Sequence, residues 1–123
     1  MKKALVVDDD SIARWSIMQA LEKRGIAPYG ASCTDDAIFQ IEIMRGQFDI
    51  ILLDIMLPKN TGVQYAQVLR CDSRFKDCPI ILISSGVSPE TDKRLKKLLK
   101  DDTKLYFLAK PINANLLGKI LSI

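Results

Sequence analysis

The sequence of 123 residues contains no histidine. The chain therefore lacks the commonest general base and the commonest ligand for transition metals. Nucleophilic pairs of serine or cysteine with histidine are also ruled out. Many classes of enzyme are excluded by this single absence.

Cysteine and long apolar runs are also scarce. Three cysteines are scattered without a CxxC pair, at Cys33, Cys71 and Cys78. Such a set fits a reducing compartment better than a disulfide-stapled secreted fold, so we expect free thiols. The apolar run Ala4–Val7 is followed at once by three aspartates, so it is too short for a signal peptide, and no run approaches a membrane span of about 18 residues. The sequence predicts a cytoplasmic protein without membrane association.

The length and net charge of the chain further restrict its domain number and its possible partners. A chain of this length is one ordinary domain, and we predict a single domain over residues 1–123. The composition, 48% hydrophobic and 27% charged, is typical of a globular protein. A net charge of +3 is too small to indicate nucleic acid binding unless it is concentrated on one face. The basic stretch Lys93–Lys100 fits either a solvated helix face or a docking surface for an acidic partner or nucleic acid.

Short apolar runs alternate with longer amphipathic stretches, which is typical of strand–helix units around a parallel sheet. A weaker run, Ala27–Ser32, contains Pro28 and is predicted as an edge strand. The sequence predicts an α/β fold, a doubly wound five-stranded parallel sheet with helices on both faces. Four runs are apolar on both faces and are predicted as its central strands: Ala4–Val7, Ile50–Leu53, Ile80–Ile83 and Leu105–Leu108.

Helical periodicity and capping residues predict five helices. The first two are each followed by a glycine, which commonly ends a helix. The start of the fourth rests on Ser88 and Pro89, a capping residue before a proline at the first helical position. The predicted helices are Ser11–Arg24, Thr34–Arg45, Thr61–Cys71, one from about Ser88, and Asn113–Ser122.

Polar residues follow four of the predicted strands. Asp8 and Asp9 come just after the first strand, and Asp54 just after the third. These positions fall on the carboxyl edge of a parallel sheet, where open α/β sheets bind ligands, so the three carboxylates can converge. Oxygen ligands without histidine or cysteine select Mg²⁺ or Mn²⁺. Ser84 and Lys110 end two further strands and complete the outline of a phosphoryl-transfer site.

Each of these residues also has a simpler interpretation on its own. The run Asp8–Asp10 suits a helix N-cap, and Asp54 suits a turn before Pro58. Ser84 suits a hydroxyl at a strand end, and Lys110 a surface lysine before a proline. The simpler interpretations become improbable when all have to hold together.

Four motifs in chain order resemble the receiver domains of two-component response regulators, the CheY-like family. The resemblance spans essentially the whole chain and implies a flavodoxin-like fold with strand order 2-1-3-4-5. It also implies one receiver domain over residues 1–123. The motifs are Val6-Val7-Asp8-Asp9-Asp10, Leu53-Asp54-Ile55-Met56-Leu57-Pro58 with Gly62, Ile83-Ser84-Ser85-Gly86, and Ala109-Lys110-Pro111.

The resemblance assigns a role to each residue of the acidic cluster. Asp54 resembles the phosphoacceptor, and Asp9 the direct ligand of Mg²⁺, with Mn²⁺ as an alternative. Asp8 completes the acidic pocket, and Met56 resembles the residue that contributes its backbone carbonyl to the metal. Lys110 matches the lysine that pairs with the phosphoryl oxygens. The resemblance therefore implies no enzyme activity beyond the domain's own phosphorylation and dephosphorylation.

Further positions match the switching apparatus of the family. Ser84 matches the residue whose hydroxyl moves towards the phosphoryl group. Phe107 matches the aromatic residue whose ring rotates inward in the switch. Ser85 matches the small residue that leaves room for the phosphodonor. The bond from Lys110 to Pro111 is expected to be cis. Because Ser84 and Lys110 lie farther apart than in compact members, we expect an extended fourth helix or an extended loop Asp101–Lys104.

The implied partners are a sensor histidine kinase or a histidine phosphotransfer protein, and a downstream protein that the sequence does not name. Ile12 and Trp15 lie off the core stripe of the first helix, so they are candidates either for docking the phosphodonor or for packing against a neighbouring helix. No direct DNA binding is expected of this domain. Three alternatives remain: a receiver-like interaction module that works without phosphorylation, a small hydrolase with an aspartyl-phosphate intermediate, and a receiver cut from a larger regulator.

Overall fold

The computed structural model describes residues 1–58 and 61–122, so residues 59, 60 and 123 of the predicted domain lie outside the described part. Strands and helices alternate along the chain. In the described part the strands are β1 Lys3–Val7, β2 Ala27–Ala31, β3 Ile50–Asp54, β4 Ile80–Ser84 and β5 Leu105–Ala109. The α-helices there are α1 Ser11–Glu22, α2 Thr34–Ile43, α3 Gly62–Arg70, α4 Lys93–Asp101 and α5 Ala114–Leu121, with a 3₁₀ helix at Ser73–Phe75.

The strands form one parallel sheet in the order β2-β1-β3-β4-β5. This is the doubly wound, flavodoxin-like order, so the predicted fold is confirmed. The prediction for Ala27–Ser32 is also confirmed, because β2 lies at one edge. The prediction that Leu105–Leu108 is a central strand is wrong, since β5 forms the other edge. It pairs only with β4 within the described sheet, and its Tyr106 and Phe107 stay partly exposed.

Side chains of the central strands alternate between two cores, one on each face of the sheet. One core joins alternate strand residues to α2, α3 and α4, which contribute residues such as Ile41, Leu69 and Leu95. The other core lies under α1 and α5, which contribute Ile17 and Leu117. Helices therefore cover both faces, as the doubly apolar strands predicted. Within the described residues no helix is both long enough and apolar enough to cross a membrane.

The fourth helix starts later than predicted. Its N-cap is Asp92, whose carboxylate accepts a hydrogen bond from the backbone N–H of Leu95 at 3.1 Å. Ser88 and Thr91 instead bond to each other in a turn, with 3.2 Å between their hydroxyl oxygens. The prediction of an extended fourth helix or of an extended Asp101–Lys104 loop is also wrong. α4 has nine residues and meets β5 after a short turn, so the long connection is the one between β4 and α4.

Candidate functional site

Three carboxylates meet at the carboxyl end of the sheet. Asp8 and Asp9 follow β1, and Asp54 is the last residue of β3. One oxygen from each carboxylate lies within 4.8 Å of the others. Asp8 is fully buried and Asp54 is 4% exposed, whereas Asp9 is open to solvent. The structure thus brings together the acidic residues that the sequence predicted to converge.

The third aspartate of the run has a different role. The Asp10 carboxylate is the N-cap of α1 and accepts hydrogen bonds from the N–H groups of Ile12 at 3.0 Å and Ala13 at 3.4 Å. The helix-cap interpretation therefore holds for Asp10, while the Asp8 and Asp9 side chains belong to the cluster. The carboxylates of the adjacent residues Asp8 and Asp9 therefore group with that of Asp54.

Backbone groups fix the two buried carboxylates. The N–H of Asp10 donates to Asp8 Oδ1, and the N–H of Met56 donates to Asp54 Oδ1, both at 3.0 Å. Arg14 donates to the backbone carbonyl of Asp8 at 2.7 Å. Sequence reasoning did not find this arginine, because no local pattern shows which carbonyl a long side chain on α1 reaches. Met56 is 61% exposed, and its contact with the cluster is made by its backbone N–H.

Lys110 supplies the positive charge of the site. Its ammonium lies 2.7 Å from Asp8 Oδ2 and 3.2 Å from Asp54 Oδ2. Burial lowers the pKa of Lys110, but the hydrogen bond and charge of Asp8, assisted by Asp54, outweigh it and raise the pKa overall. Burial also raises the pKa of Asp8, and the hydrogen bond from Lys110 only partly opposes this. The bond between Lys110 and Pro111 is cis, as the resemblance implies.

The donor set suits a hard divalent cation. Its ligands are carboxylate oxygens, which Mg²⁺ and Mn²⁺ prefer. One lysine faces three carboxylates, so a further positive charge would relieve the remaining repulsion between them. Asp9 is exposed, so the cluster is open to solvent on its side.

Ser84 and Phe107 lie on the strands beyond the cluster. Ser84 ends β4 and is 1% exposed. Its hydroxyl oxygen accepts hydrogen bonds from the N–H groups of Gly86 at 3.2 Å and Val87 at 2.9 Å. Phe107 on β5 is half-buried against the core shared by α2, α3 and α4. The contacts of Ser84 with the following loop were not predicted, because they depend on how that loop folds.

The two candidate docking residues of α1 are exposed, Ile12 by 78% and Trp15 by 64%. Ile12 lines a groove of about 440 Å³ that Ser85, Lys110 and Pro111 also line. Trp15 is not among the lining residues of that groove. The structure therefore places Ile12 at the groove that Lys110 also lines, and it leaves Trp15 exposed on the same helix.

Comparison with known proteins assigns the chain to one family. A family model described as the response regulator receiver domain matches residues 4–122. The Escherichia coli phosphate regulon transcriptional regulatory protein PhoB is 30% identical over 112 residues, which are 91% of this chain and 46% of PhoB. The Bacillus anthracis sensory transduction protein LytT is 34% identical over 88 residues, 70% of this chain and 34% of LytT. This chain thus spans half or less of the length of these relatives.

Solved structures agree with the sequence relatives. The Vibrio cholerae chemotaxis protein CheY4 superposes with a TM-score of 0.83 at 29% identity, covering 99% of this chain and 97% of CheY4. A receiver domain protein from Methylobacillus flagellatus has a TM-score of 0.81 at 26% identity, with 99% and 97% coverage. With the family model matching nearly every residue, the chain belongs to the response regulator receiver domain family.

Proposed function

We propose that this domain accepts a phosphoryl group on Asp54 from a phosphohistidine donor and thereby switches a protein-interaction surface. One observation carries the proposal: Asp54 is a nearly buried carboxylate with an ammonium 3.2 Å from one oxygen and a backbone N–H 3.0 Å from the other. Both contacts fix the direction of the carboxylate. A fixed nucleophile beside a fixed positive charge is what phosphoryl transfer needs.

The metal ligands we propose are the carboxylates of Asp8, Asp9 and Asp54 with the backbone carbonyl of Met56. The clustering of the three carboxylates supports this set. Mg²⁺ is the expected ion, and Mn²⁺ is an alternative with the same ligand preference. When bound, the cation neutralises charge on the carboxylates and on the incoming phosphoryl oxygens.

The bonds that form and break in the transfer belong to Asp54 and the donor. A carboxylate oxygen of Asp54 forms a bond to phosphorus while the bond from phosphorus to the donor imidazole nitrogen breaks, and that electron pair stays on the imidazole. The ammonium of Lys110 lies beside the carboxylate that would be phosphorylated, so it would stabilise the charge of the phosphoryl oxygens. The receiver family is not a family of classical enzymes. The domain would catalyse only its own phosphorylation and dephosphorylation.

Ser84 and Phe107 are the switch residues of the proposal. The Ser84 hydroxyl would turn from the N–H groups of Gly86 and Val87 towards the phosphoryl group. That movement frees space for the half-buried ring of Phe107 to turn inward. The face formed by α4, β5 and α5 would then shift between two states and bind its target differently in each.

The partners follow from the chemistry. A sensor histidine kinase or a histidine phosphotransfer protein would supply the phosphoryl group, and Ile12 and Trp15 are its proposed docking residues. The downstream target would be a protein, and no DNA contact is proposed for this domain. PhoB is a transcriptional regulatory protein more than twice as long as the match. The predicted cytoplasmic location stays a prediction.

Intact-mass spectrometry after incubation with acetyl phosphate, with and without Mg²⁺, tests the proposal. We expect one phosphoryl adduct in the wild type with Mg²⁺ and none in Asp54→Asn. Asp77→Asn is the matched control, because Asp77 is exposed and precedes β4 at the edge of the sheet opposite the cluster. An adduct that persists in Asp54→Asn would overturn the assignment of the acceptor. Absence of an adduct and of beryllium fluoride binding in folded wild type would favour the phosphorylation-independent module.

A further inference from the structure

Arg14 on α1 holds a backbone group beside the acidic cluster. One of its guanidinium nitrogens lies 2.7 Å from the backbone carbonyl oxygen of Asp8, and Arg14 is half-buried. A hydrogen bond from a charged donor is shorter and stronger than one between neutral groups. The contact therefore fixes this carbonyl more firmly than a peptide N–H would.

The Asp8 carbonyl lies where the chain leaves the sheet. β1 ends at Val7, and the N–H of Asp8 still donates to the carbonyl of Ala31 at 3.0 Å. Among the residues that the structure describes, no backbone N–H donates to the Asp8 carbonyl. Buried backbone groups need a hydrogen-bond partner, and here the partner is a side chain. Arg14 thus takes the place of the neighbouring strand at the end of β1.

Peptide planarity carries this constraint from Asp8 to Asp9. The carbonyl of Asp8 and the N–H of Asp9 belong to one planar peptide group, so fixing the carbonyl oxygen also fixes the plane in which Asp9 begins. The Asp8 carboxylate accepts the N–H of Asp10 at 3.0 Å, so the turn closes on the residue that Arg14 holds. We propose that Arg14 is a positioning residue, which orients the carboxylates of Asp8 and Asp9 for the cation. This role rests on the metal site of the proposed function, to which Arg14 contributes no ligand.

The surroundings of Arg14 keep its side chain in this position. Its stem lies over Gly30 of β2, where an added Cβ would lie 3.3 Å from Arg14 Cδ and 3.1 Å from Met18 Sδ. Asp36 lines the same groove as Arg14. Hydrogen bonds from Ser32, together with the charge of Arg14, hold the pKa of Asp36 below its usual value. The glycine thus leaves room for the stem, and a carboxylate balances the charge of the guanidinium.

NMR titration with MgCl₂ at constant ionic strength tests the proposal on the wild type and on Arg14→Met. Methionine keeps much of the apolar stem and removes the donor. We expect Mg²⁺ to bind about tenfold more weakly to the variant, as is typical when a group that orients a metal ligand is lost. Arg14→Lys keeps a positively charged donor and should recover part of this loss.

The direction of the change separates positioning from simple electrostatics. Removing a positive charge near the carboxylates would by itself strengthen the binding of a cation, whereas loss of positioning weakens it. Arg24→Met is the matched control, because Arg24 follows the other end of α1 and donates to the carbonyl of Ala114 at 2.9 Å. It should bind Mg²⁺ as the wild type does. An affinity of Arg14→Met that equals or exceeds that of the wild type overturns the proposal.

Amide hydrogen exchange without metal gives a second readout, which does not depend on the proposed function. In Arg14→Met the N–H of Asp10 should exchange at least tenfold faster, because the turn opens more often. The N–H of Ile81 in the middle of β4 should change far less. Exchange of Asp10 at the wild-type rate would show that Arg14 does not hold the turn and would overturn the proposal. A wild type that binds no Mg²⁺ would contradict the proposed metal site instead, and exchange at Asp10 still decides whether Arg14 positions the turn.

Discussion

Gly62 allows the start of α3 to approach the backbone of the acceptor residue. A Cβ added there would collide with the carbonyl oxygen and carbonyl carbon of Asp54. These are backbone atoms and cannot swing aside as the end of a flexible side chain can. We therefore expect Gly62→Ala to destabilise the fold by about 1–3 kcal/mol. It should also slow phosphorylation by displacing Asp54, and chemical denaturation and the rate of adduct formation measure the two effects.

Gly86→Ala is the control for this prediction. A Cβ at Gly86 meets no atom within 4 Å, so the substitution adds no collision although it lies beside the same site. Its stability should stay within about 0.5 kcal/mol of the wild type. If Gly62→Ala is phosphorylated at the wild-type rate, the close approach does not position the acceptor.

At the scale of single residues, the sequence predicted which side chains meet at the ends of the strands. Asp8, Asp54 and Lys110 converge because parallel strands end at one edge, and that rule needs no knowledge of loops. Arg14 on the carbonyl of Asp8 and the loop amides on the Ser84 hydroxyl were missed. Such contacts depend on long side chains and loop geometry, for which a single sequence carries no periodic signal.

At the scale of elements, Arg70 ties the end of α3 to the turns that lead into β4 and β5. Its guanidinium donates to the carbonyls of Phe75 at 2.8 Å, Cys78 at 2.5 Å and Lys104 at 3.0 Å. It also pairs with Asp102, the C-cap of α4, at 2.8 Å. The side chains of Arg70 and Asp102 are 18% and 28% exposed, so water screens the pair less than it screens a fully exposed pair.

Asp102 makes this link depend on pH. Burial raises the pKa of Asp102, but the hydrogen bond and charge of Arg70 and the N–H of Lys104 outweigh it, so the pKa lies below its usual value. A carboxylate with a lowered pKa stabilises the fold above its unfolded-state pKa of about 3.9. That contribution is lost as the pH falls through the still lower folded-state pKa.

We expect Asp102→Asn to lower the free energy of unfolding by about 1–2 kcal/mol at pH 7. The difference from the wild type should shrink as the pH falls below about 4, because protonated Asp102 then resembles asparagine. Urea denaturation at pH 7 and at a pH below about 4 measures this difference in the free energy of unfolding. Asp101→Asn is the control, since Asp101 is exposed and lies 3.6 Å from Lys97, and it should cost less than about 0.5 kcal/mol. A difference that is the same at both pH values would contradict the ionic account.

Two of the three errors in predicting elements have clear physical causes. Ser88 and Pro89 form a good local start signal for a helix, but Asp92 offers a carboxylate cap four residues later and the helix starts there. The run Leu105–Leu108 is apolar on both faces, so its composition fits a central strand. Its edge position follows from the order of the whole sheet, which the composition of one run does not determine.

At the scale of the whole molecule, the acidic cluster that would bind a ligand also concentrates negative charge. A sheet that places several ligating carboxylates at one edge also places like charges close together there. Two of these carboxylates, Asp8 and Asp54, are buried. Lys110 compensates part of this charge by reaching across from β5. The proposed function therefore requires the fold to bury charge at this edge of the sheet, a local conflict that is common at functional sites.

A divalent cation should stabilise the whole fold, because its proposed ligands come from the ends of two neighbouring strands. A ligand that binds only the folded state adds about 2.7 kcal/mol at one hundred times its dissociation constant. We expect the Tm of the wild type to rise as MgCl₂ replaces NaCl at constant ionic strength. Asp9→Asn should lose most of this rise while remaining folded, because Asp9 is exposed. Asp77→Asn should keep the rise, because Asp77 precedes β4 at the opposite edge of the sheet. An equal rise in Asp9→Asn would show that Mg²⁺ acts elsewhere on the surface.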